Sequence, residues 1–344
     1  MGFISVNHMN KTHFFLVLLS LALFSCFKKT DKLDRSANTK INSISIIIDD
    51  QLWYGEVGDS LRNKFASPVI GLTKEEPLFT INQYSAKLLE GFMTNGRNVI
   101  IVKKEDYTKY EVRKNQFANP QNVFRIYGKS IKAILKLLET NAASMVQQIR
   151  ETEIKACQKA NAKSLLNQAI FRNKFHFNLD VPTGFKYVLH KSNLIWLKKE
   201  IVGGNVSLLL YQVPLHSFDT QYHISTQIVQ MRDSIGEFIQ GREINTPMVT
   251  DDAYAPYFTS TRIDGKRAFE TKGTWELQND YMMGPFINYT IVDEAYNRIL
   301  VLEGFCYAPS NDERDLMLNL EGIIKSLKVQ TRSEESNESV NMEN

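Results

Sequence analysis

The chain has 344 residues, a formal net charge of +3, 43% hydrophobic and 11% aromatic residues. That is apolar material for packed cores in two domains of ordinary size. No stripe of Lys and Arg interleaved with aromatics runs along it, so nucleic-acid binding has little support in the sequence and no nucleic-acid partner is expected.

The first element is a signal. A basic start leads into the eleven-residue apolar stretch Phe14 to Phe24, followed by Ser25 and Cys26. The stretch is too short to span a hydrocarbon core, which needs about 20 residues. A core helix would have nothing to pack against, because Lys28, Lys29, Asp31, Lys32, Asp34 and Arg35 follow at once. Leu23 three residues before Cys26 and a small residue beside it are the pattern of a lipoprotein signal, cut before a cysteine that is then acylated. Residues 1–25 are thus expected to be removed, with Cys26 lipidated and residues 26–42 a flexible tether. Met9 opens a more compact signal and is an alternative start. Phe27, where an aspartate would retain the protein in the inner membrane, and the lack of an acidic run point to the periplasmic face of the outer membrane. The expected partners are the membrane, through the anchor, and an envelope protein.

A first domain, 43–150, is expected to open with a strand at Ile44 to Ile48, a loop through Asp49-Asp50 to Gly58 and a helix from Asp59 to Phe65. Asn82 reads as the cap of a helix with Tyr84, Leu88 and Phe92 on one face. Val99–Val102, Tyr110–Arg113 and Val123–Tyr127 read as strands. From Ile131 to Ile149, apolar residues at three-four spacing predict an amphipathic helix covering a sheet. Residues 151–175, helical but polar, read as a linker.

The second domain, 176–328, is expected to start with an alternating strand, His176–Pro182. Strands at Tyr187–His190, Leu194–Lys198 and Val206–Val213 follow, then a helix on Ile224, Ile228, Met231, Ile235 and Phe238. Four strands come next, with Asp264-Gly265 a hairpin signal. Ser310 and Glu313 read as a capping box opening the last helix, with Leu316, Leu320, Ile323 and Leu327 buried. Hairpins join these strands, so the fold class is α+β: two domains, each an antiparallel or mixed sheet with helices packed on it. Residues 329–344 form an acidic tail without structure.

Sites of chemistry are scarce. No phosphate loop, GxGxxG, HExxH or GxSxG is present. The histidines His176, His190, His216 and His223 do not stand at metal-ligand spacing, and His176 and His223 read as half-buried structural residues. No catalytic residue, metal or cofactor is expected. Cys157 and Cys306, 149 residues apart, read as two buried thiols rather than a disulfide. The most suggestive cluster lies between Asp49 and Arg62, where Trp53, Glu56, Asp59 and Arg62 form a candidate binding loop. Its carboxylates are the basis of an alternative reading as a hydrolase or lyase. The plainer reading makes Asp59 a helix cap and Trp53 a core residue. A second aromatic group, Tyr254, Tyr257, Phe258, Trp275, Tyr281 and Phe286, fits a groove or cross-strand pairs.

The motifs Leu52–Arg62 (LWYGEVGDSLR), Glu76–Phe79, Ala253–Tyr257, Lys272–Glu276 and Gly304–Pro309 together resemble an uncharacterised lipoprotein family of Bacteroidota, domain-of-unknown-function family 4837, over Ile44 to Leu327. The resemblance implies an envelope location and a Bacteroidota source, and no activity. In Val181–Phe185 and its strand order, 176–328 also resembles PsbP-like domains, which implies a binding or assembly role.

Overall fold

The computed structural model describes residues 36–37, 39–86, 91–241, 243 and 245–330. Cys26, the signal, most of the tether, Leu88 and the tail from Thr331 lie outside them; the first two residues of the expected tail are paired instead, Val329 with Phe177 and the Gln330 N–H with the His176 carbonyl at 2.9 Å.

The first half is a mixed five-stranded sheet. Strand β1 (Ser43–Ile48) enters its centre, and all six of its residues are buried. Helix α1 (Asp50–Trp53) and helix α2 (Glu56–Phe65) follow at once. Strands β2 (Thr80–Tyr84), β3 (Asn98–Lys104), β4 (Lys109–Lys114) and β5 (Asn122–Gly128) complete the order β2-β1-β3-β5-β4, with β4 alone antiparallel to its neighbour. Both faces are covered, which is why Ile46–Ile48 of β1 and Val99–Val102 of β3 are continuous apolar runs. Ile46, Ile48, Ile100 and Phe124 pack beneath the helices, and Ile47, Val99, Ile101 and Val123 fill the other side.

Two expectations fail here. Asn82 and Tyr84 stand in β2, because their segment pairs in parallel with β1; pairing with a neighbouring strand overrides the local helical spacing. Asp59 is not a cap: α2 starts one turn earlier, with Gly55 at its cap position. Gly58 allows that corner, since a Cβ there would sit 1.7 Å from the carbonyl oxygen of Trp53.

Helix α3 (Ile131–Asn161) is capped by Ser130, whose hydroxyl accepts from the N–H of Ala133 at 3.2 Å. Over 31 residues it runs roughly 46 Å. Its first five turns cover the first sheet through Ile134, Leu138, Met145 and Ile149. It then continues without a break into the expected linker, as far as Asn161. Glu153, Ile154, Cys157 and Asn161 are buried there, and Ile154 and Cys157 pack on Leu318 of the second half. Glu153 accepts from Arg97 Nε and Nη2 (3.0 and 2.8 Å), Asn98 Nδ2 (2.7 Å) and the N–H of Asn42 (3.1 Å). The polarity of 151–161 therefore reflects a buried polar joint rather than a solvated connector.

Helix α4 (Ala169–Phe175) and the short strand β6 (Phe177–Asn178) bury Phe171, Phe175 and Phe177 in the second core. The expected strand His176–Pro182 shrinks to those two residues, which pair only with β15 (Lys328–Val329). Between them lies an eight-stranded antiparallel sheet. Its members are β7 (Lys186–His190), β8 (Leu194–Ile201), β9 (Gly204–Pro214), β10 (Met248–Thr250), β11 (Tyr257–Ile263), β12 (Lys266–Leu277), β13 (Met283–Asp293) and β14 (Arg298–Tyr307). The order is β10-β12-β13-β14-β9-β8-β7, with β11 beside β12. Helix α5 (Ile224–Gly236) covers one face, over Leu209, Val301 and Phe305; helix α6 (Glu313–Ile324) and α4 cover the other, over Leu208, Leu210, Leu300 and Leu302. The architecture is α+β, as the hairpin-linked order implies.

Ser310 does not cap α6, which begins at Glu313 with Asp312 in the cap position. His223 is exposed, whereas His176 stacks on Tyr296 at 4.9 Å. Both Cys157 and Cys306 are buried and free.

Candidate functional site: a cavity between the two halves

The structure places the candidate loop on a surface corner. Asp59 pairs with Arg62 at 2.7 Å, and the Arg62 guanidinium lies 4.6 Å over the ring of Trp53, which is half-buried against the first core. Glu56 is exposed on the first turn of α2, and Tyr54 is 82% exposed. The pair Asp59–Arg62 spends its charges on itself. In the second aromatic group, Trp275 and Phe286 are buried, while Tyr254, Tyr257 and Tyr281 stay on the surface.

The residues that converge are others. A cavity of about 420 Å³ opens between the halves. One wall is the loop from Ser67 to Leu78, closed as a hairpin by Val69 N–H to the Glu76 carbonyl (2.9 Å) and Leu78 N–H to the Ser67 carbonyl (2.8 Å). Gly71 turns at its tip with φ +82°, where a Cβ would press to 3.2 Å on the backbone of Gly273. Val146 and Arg150 of α3 form a second wall. Phe286 and Ile287 of β13 and Met317, Leu318 and Glu321 of α6 close the rest.

The loop is fastened to the second half. Its Thr73 donates through N–H (2.9 Å) and through its hydroxyl to the carboxylate of Glu313, and Lys74 donates to the carbonyl of Pro309. Glu76 accepts from the N–H groups of Glu313 (2.6 Å) and Arg314 (3.2 Å), supplying the cap that α6 lacks locally.

A charged floor lies within this apolar frame. Glu270 and Tyr289 stand opposite each other on β12 and β13, and the Tyr289 hydroxyl donates to Glu270 and lies 3.2 Å from Glu321 Oε1. Arg150 pairs with Glu321 at 2.5 Å, Lys325 with Glu321 at 2.6 Å and Lys272 with Glu270 at 2.6 Å. Burial pushes the Glu321 carboxyl up, but Arg150, Lys325 and Lys272 outweigh it and hold it at about 2. Burial, with the two carboxylates beside it, raises the Tyr289 phenol well above its ordinary value. Glu321 is thus a fixed anion and Tyr289 a fixed donor, not groups that exchange protons near neutrality. Among the residues that line the cavity, Arg150, Lys272 and Arg314 face Glu270 and Glu321, leaving one surplus positive charge. An apolar slot with such a floor suits a molecule that has an apolar body and an anionic end.

Sequence reasoning missed this site because its parts come from five distant segments. One signal was available: Glu321 falls on the helix face of Met317 and Ile324, a charge on a greasy stripe. Among the described residues no group of three or more His, Cys, Asp and Glu is placed to hold a metal.

No curated protein matches the sequence. Three solved structures are similar in part. The Ran-binding protein Mog1p of Saccharomyces cerevisiae is 11% identical over 46% of this chain and 92% of its own, with a TM-score of 0.31. LpqN of Mycobacterium tuberculosis, involved in cell envelope biogenesis, is 11% identical over 45% and 83%, at 0.27. Human StAR-related lipid transfer protein 5 is 10% identical over 52% and 98%, at 0.24. Likeness this low carries no argument. Residues 164–326 match the model of a domain of unknown function, DUF4837, and residues 37–162 match another, DUF8532. The likeness to DUF4837 is therefore narrower than the resemblance over Ile44 to Leu327: the motifs Leu52–Arg62 and Glu76–Phe79 fall in the other segment. The two matches meet at Lys163, just past the end of α3.

Proposed function

We propose that this is a lipid-anchored protein of the bacterial outer membrane, held by acylated Cys26 at the periplasmic face, that binds an amphipathic anionic molecule rather than catalysing a reaction. The observation behind the binding role is the cavity's lining, where Arg150, Lys272 and Arg314 exceed Glu270 and Glu321 by one charge among apolar side chains. The signal pattern from Phe14 to Cys26 supports the anchor, and a Bacteroidota source fits the resemblance. An envelope protein that delivers or accepts the molecule is the corresponding partner. The alternative, a hydrolase or lyase at the Asp49–Arg62 corner, is less favoured because Asp59 is occupied by Arg62.

Two measurements test this. Cys26→Ser should abolish fatty-acid labelling and leave the precursor uncut; labelling that persists refutes the anchor. A fluorescent palmitate analogue should bind the native protein saturably. Thr259→Trp, which puts a ring at the cavity wall, and Lys272→Ser, which removes the surplus charge, should each weaken binding at least tenfold. Unchanged binding in both variants refutes the cavity as the site.

A further inference from the structure

A second cleft, of about 590 Å³, lies where the described chain begins. Its walls carry Lys114 at the end of β4 and Lys155, Lys159 and Lys163 along and just past the last turns of α3. The spacing of the last three, four residues apart, puts them on one helix face. All four are exposed. Among the described residues lining the cleft there is no carboxylate. Arg97, at its inner wall, is already taken by Glu153 (2.8 Å) and by the carbonyls of Thr39 and Lys40 (2.9 Å each). Glu151 stands one turn before Lys155 on the helix, but no carboxylate lines the cleft itself, so the four lysines repel one another and favour an anion there.

The chain supplies the direction of that anion. Ser36 and Ala37 line the cleft, Ser36 bridges to Asn119, and the N–H of Ala37 donates to the Asn119 carbonyl at 3.3 Å. Arg97 fastens the next turn of chain through Thr39 and Lys40. Cys26 is ten residues upstream of Ser36. Fully extended, ten residues reach roughly 35 Å. Lys28, Lys29, Lys32 and Arg35, against Asp31 and Asp34, add two net positive charges to that stretch. An anchor at Cys26 therefore holds this face within about 35 Å of the lipid surface.

We propose that the Lys114–Lys155–Lys159–Lys163 face docks on anionic phospholipid headgroups of the leaflet that holds Cys26, which fixes the orientation of the protein on its membrane. The proposal rests on the anchor reading above. Each lysine near an anionic surface should change the docked population roughly fivefold, and the effect should fade with salt because the screening length is about 8 Å at physiological ionic strength.

The test uses the lipoprotein purified in detergent and reconstituted on vesicles of phosphatidylcholine, with or without phosphatidylglycerol. A donor dye is placed at exposed Ala162 through Ala162→Cys, with an acceptor on the lipid headgroups. Flotation on pure phosphatidylcholine reads the anchor; energy transfer reads docking. Docking predicts stronger transfer with phosphatidylglycerol, reversed by high salt and lost when all four lysines are changed to serine. The circular dichroism and melting temperature of that variant should match those of the parent, since none of the four is buried. Equal transfer on both lipids overturns the proposal even if the protein floats. Failure to float on phosphatidylcholine overturns the anchor reading alone. In that case lysine-dependent flotation on phosphatidylglycerol vesicles supports the docking face, and its absence overturns it.

Discussion

The carboxylate of Glu76 accepts the backbone N–H of Glu313 at 2.6 Å, joining residues 237 positions apart. It thereby completes a helix of one half with a side chain from a loop of the other. Glu76→Ala leaves two amide donors without their acceptor and should cost about 1–2 kcal/mol. For a chain of this size that lowers the melting temperature by about 2–4 °C per kcal/mol. Asp312→Asn is the control: Asp312 holds the cap position but makes no side-chain cap bond, so its melt should match wild type.

The joint at Glu153 should be a sensitive point of the first half, where its partners Arg97, Asn98 and Asn42 all lie. Glu153→Ala leaves the buried Arg97 guanidinium without its carboxylate, and breaking a buried pair costs about 3–5 kcal/mol. Urea unfolding should show the loss as a shifted midpoint. Glu139→Ala, which removes only a surface partner of Lys64, should change stability by less than about 1 kcal/mol.

Stability should fall on the acid side through Glu321. Its carboxyl, ordinarily near 4.5, is held at about 2 in the fold. A lowered folded-state value stabilises the protein above the unfolded value, and the gain is lost as pH falls from about 4.5 towards about 2. The shift corresponds to about 3 kcal/mol. Glu321→Gln should therefore be clearly less stable than wild type at neutral pH, and the gap should close as pH falls through that window. A gap independent of pH would show that the three cations do not hold the carboxylate.

Cys157 and Cys306 should be inert in the native protein. Burial pushes each thiol up to about 12, so the thiolate is scarce and also out of reach. A thiol reagent should label neither until denaturant is added, and then both.

Trp53→Ala should cost about 2 kcal/mol, roughly half of what a fully buried ring costs, because Trp53 is only half-buried beneath Arg62. Glu56→Gln should leave the melt unchanged, since Glu56 is exposed.

What the sequence determined by itself is local. The hairpin at Asp264-Gly265, the helix from Ile131 and most strands of the second sheet are written in runs of neighbouring residues. In each, periodicity and turn chemistry agree with the final pairing. Where they disagreed, a distant partner decided. The segment at Asn82 became a strand because β1 offered it a parallel edge. The polar turns after Ile149 became a buried joint because Arg97, Asn98 and Asn42 converge on Glu153. The cap of α6 came from Glu76 rather than Ser310. The cavity belongs wholly to this second class. Glu270, Tyr289, Glu321 and Arg150 acquire their roles only when β12, β13, α6 and α3 meet, and a buried charge is stable only where its partners come to it. No spacing within one segment records that meeting.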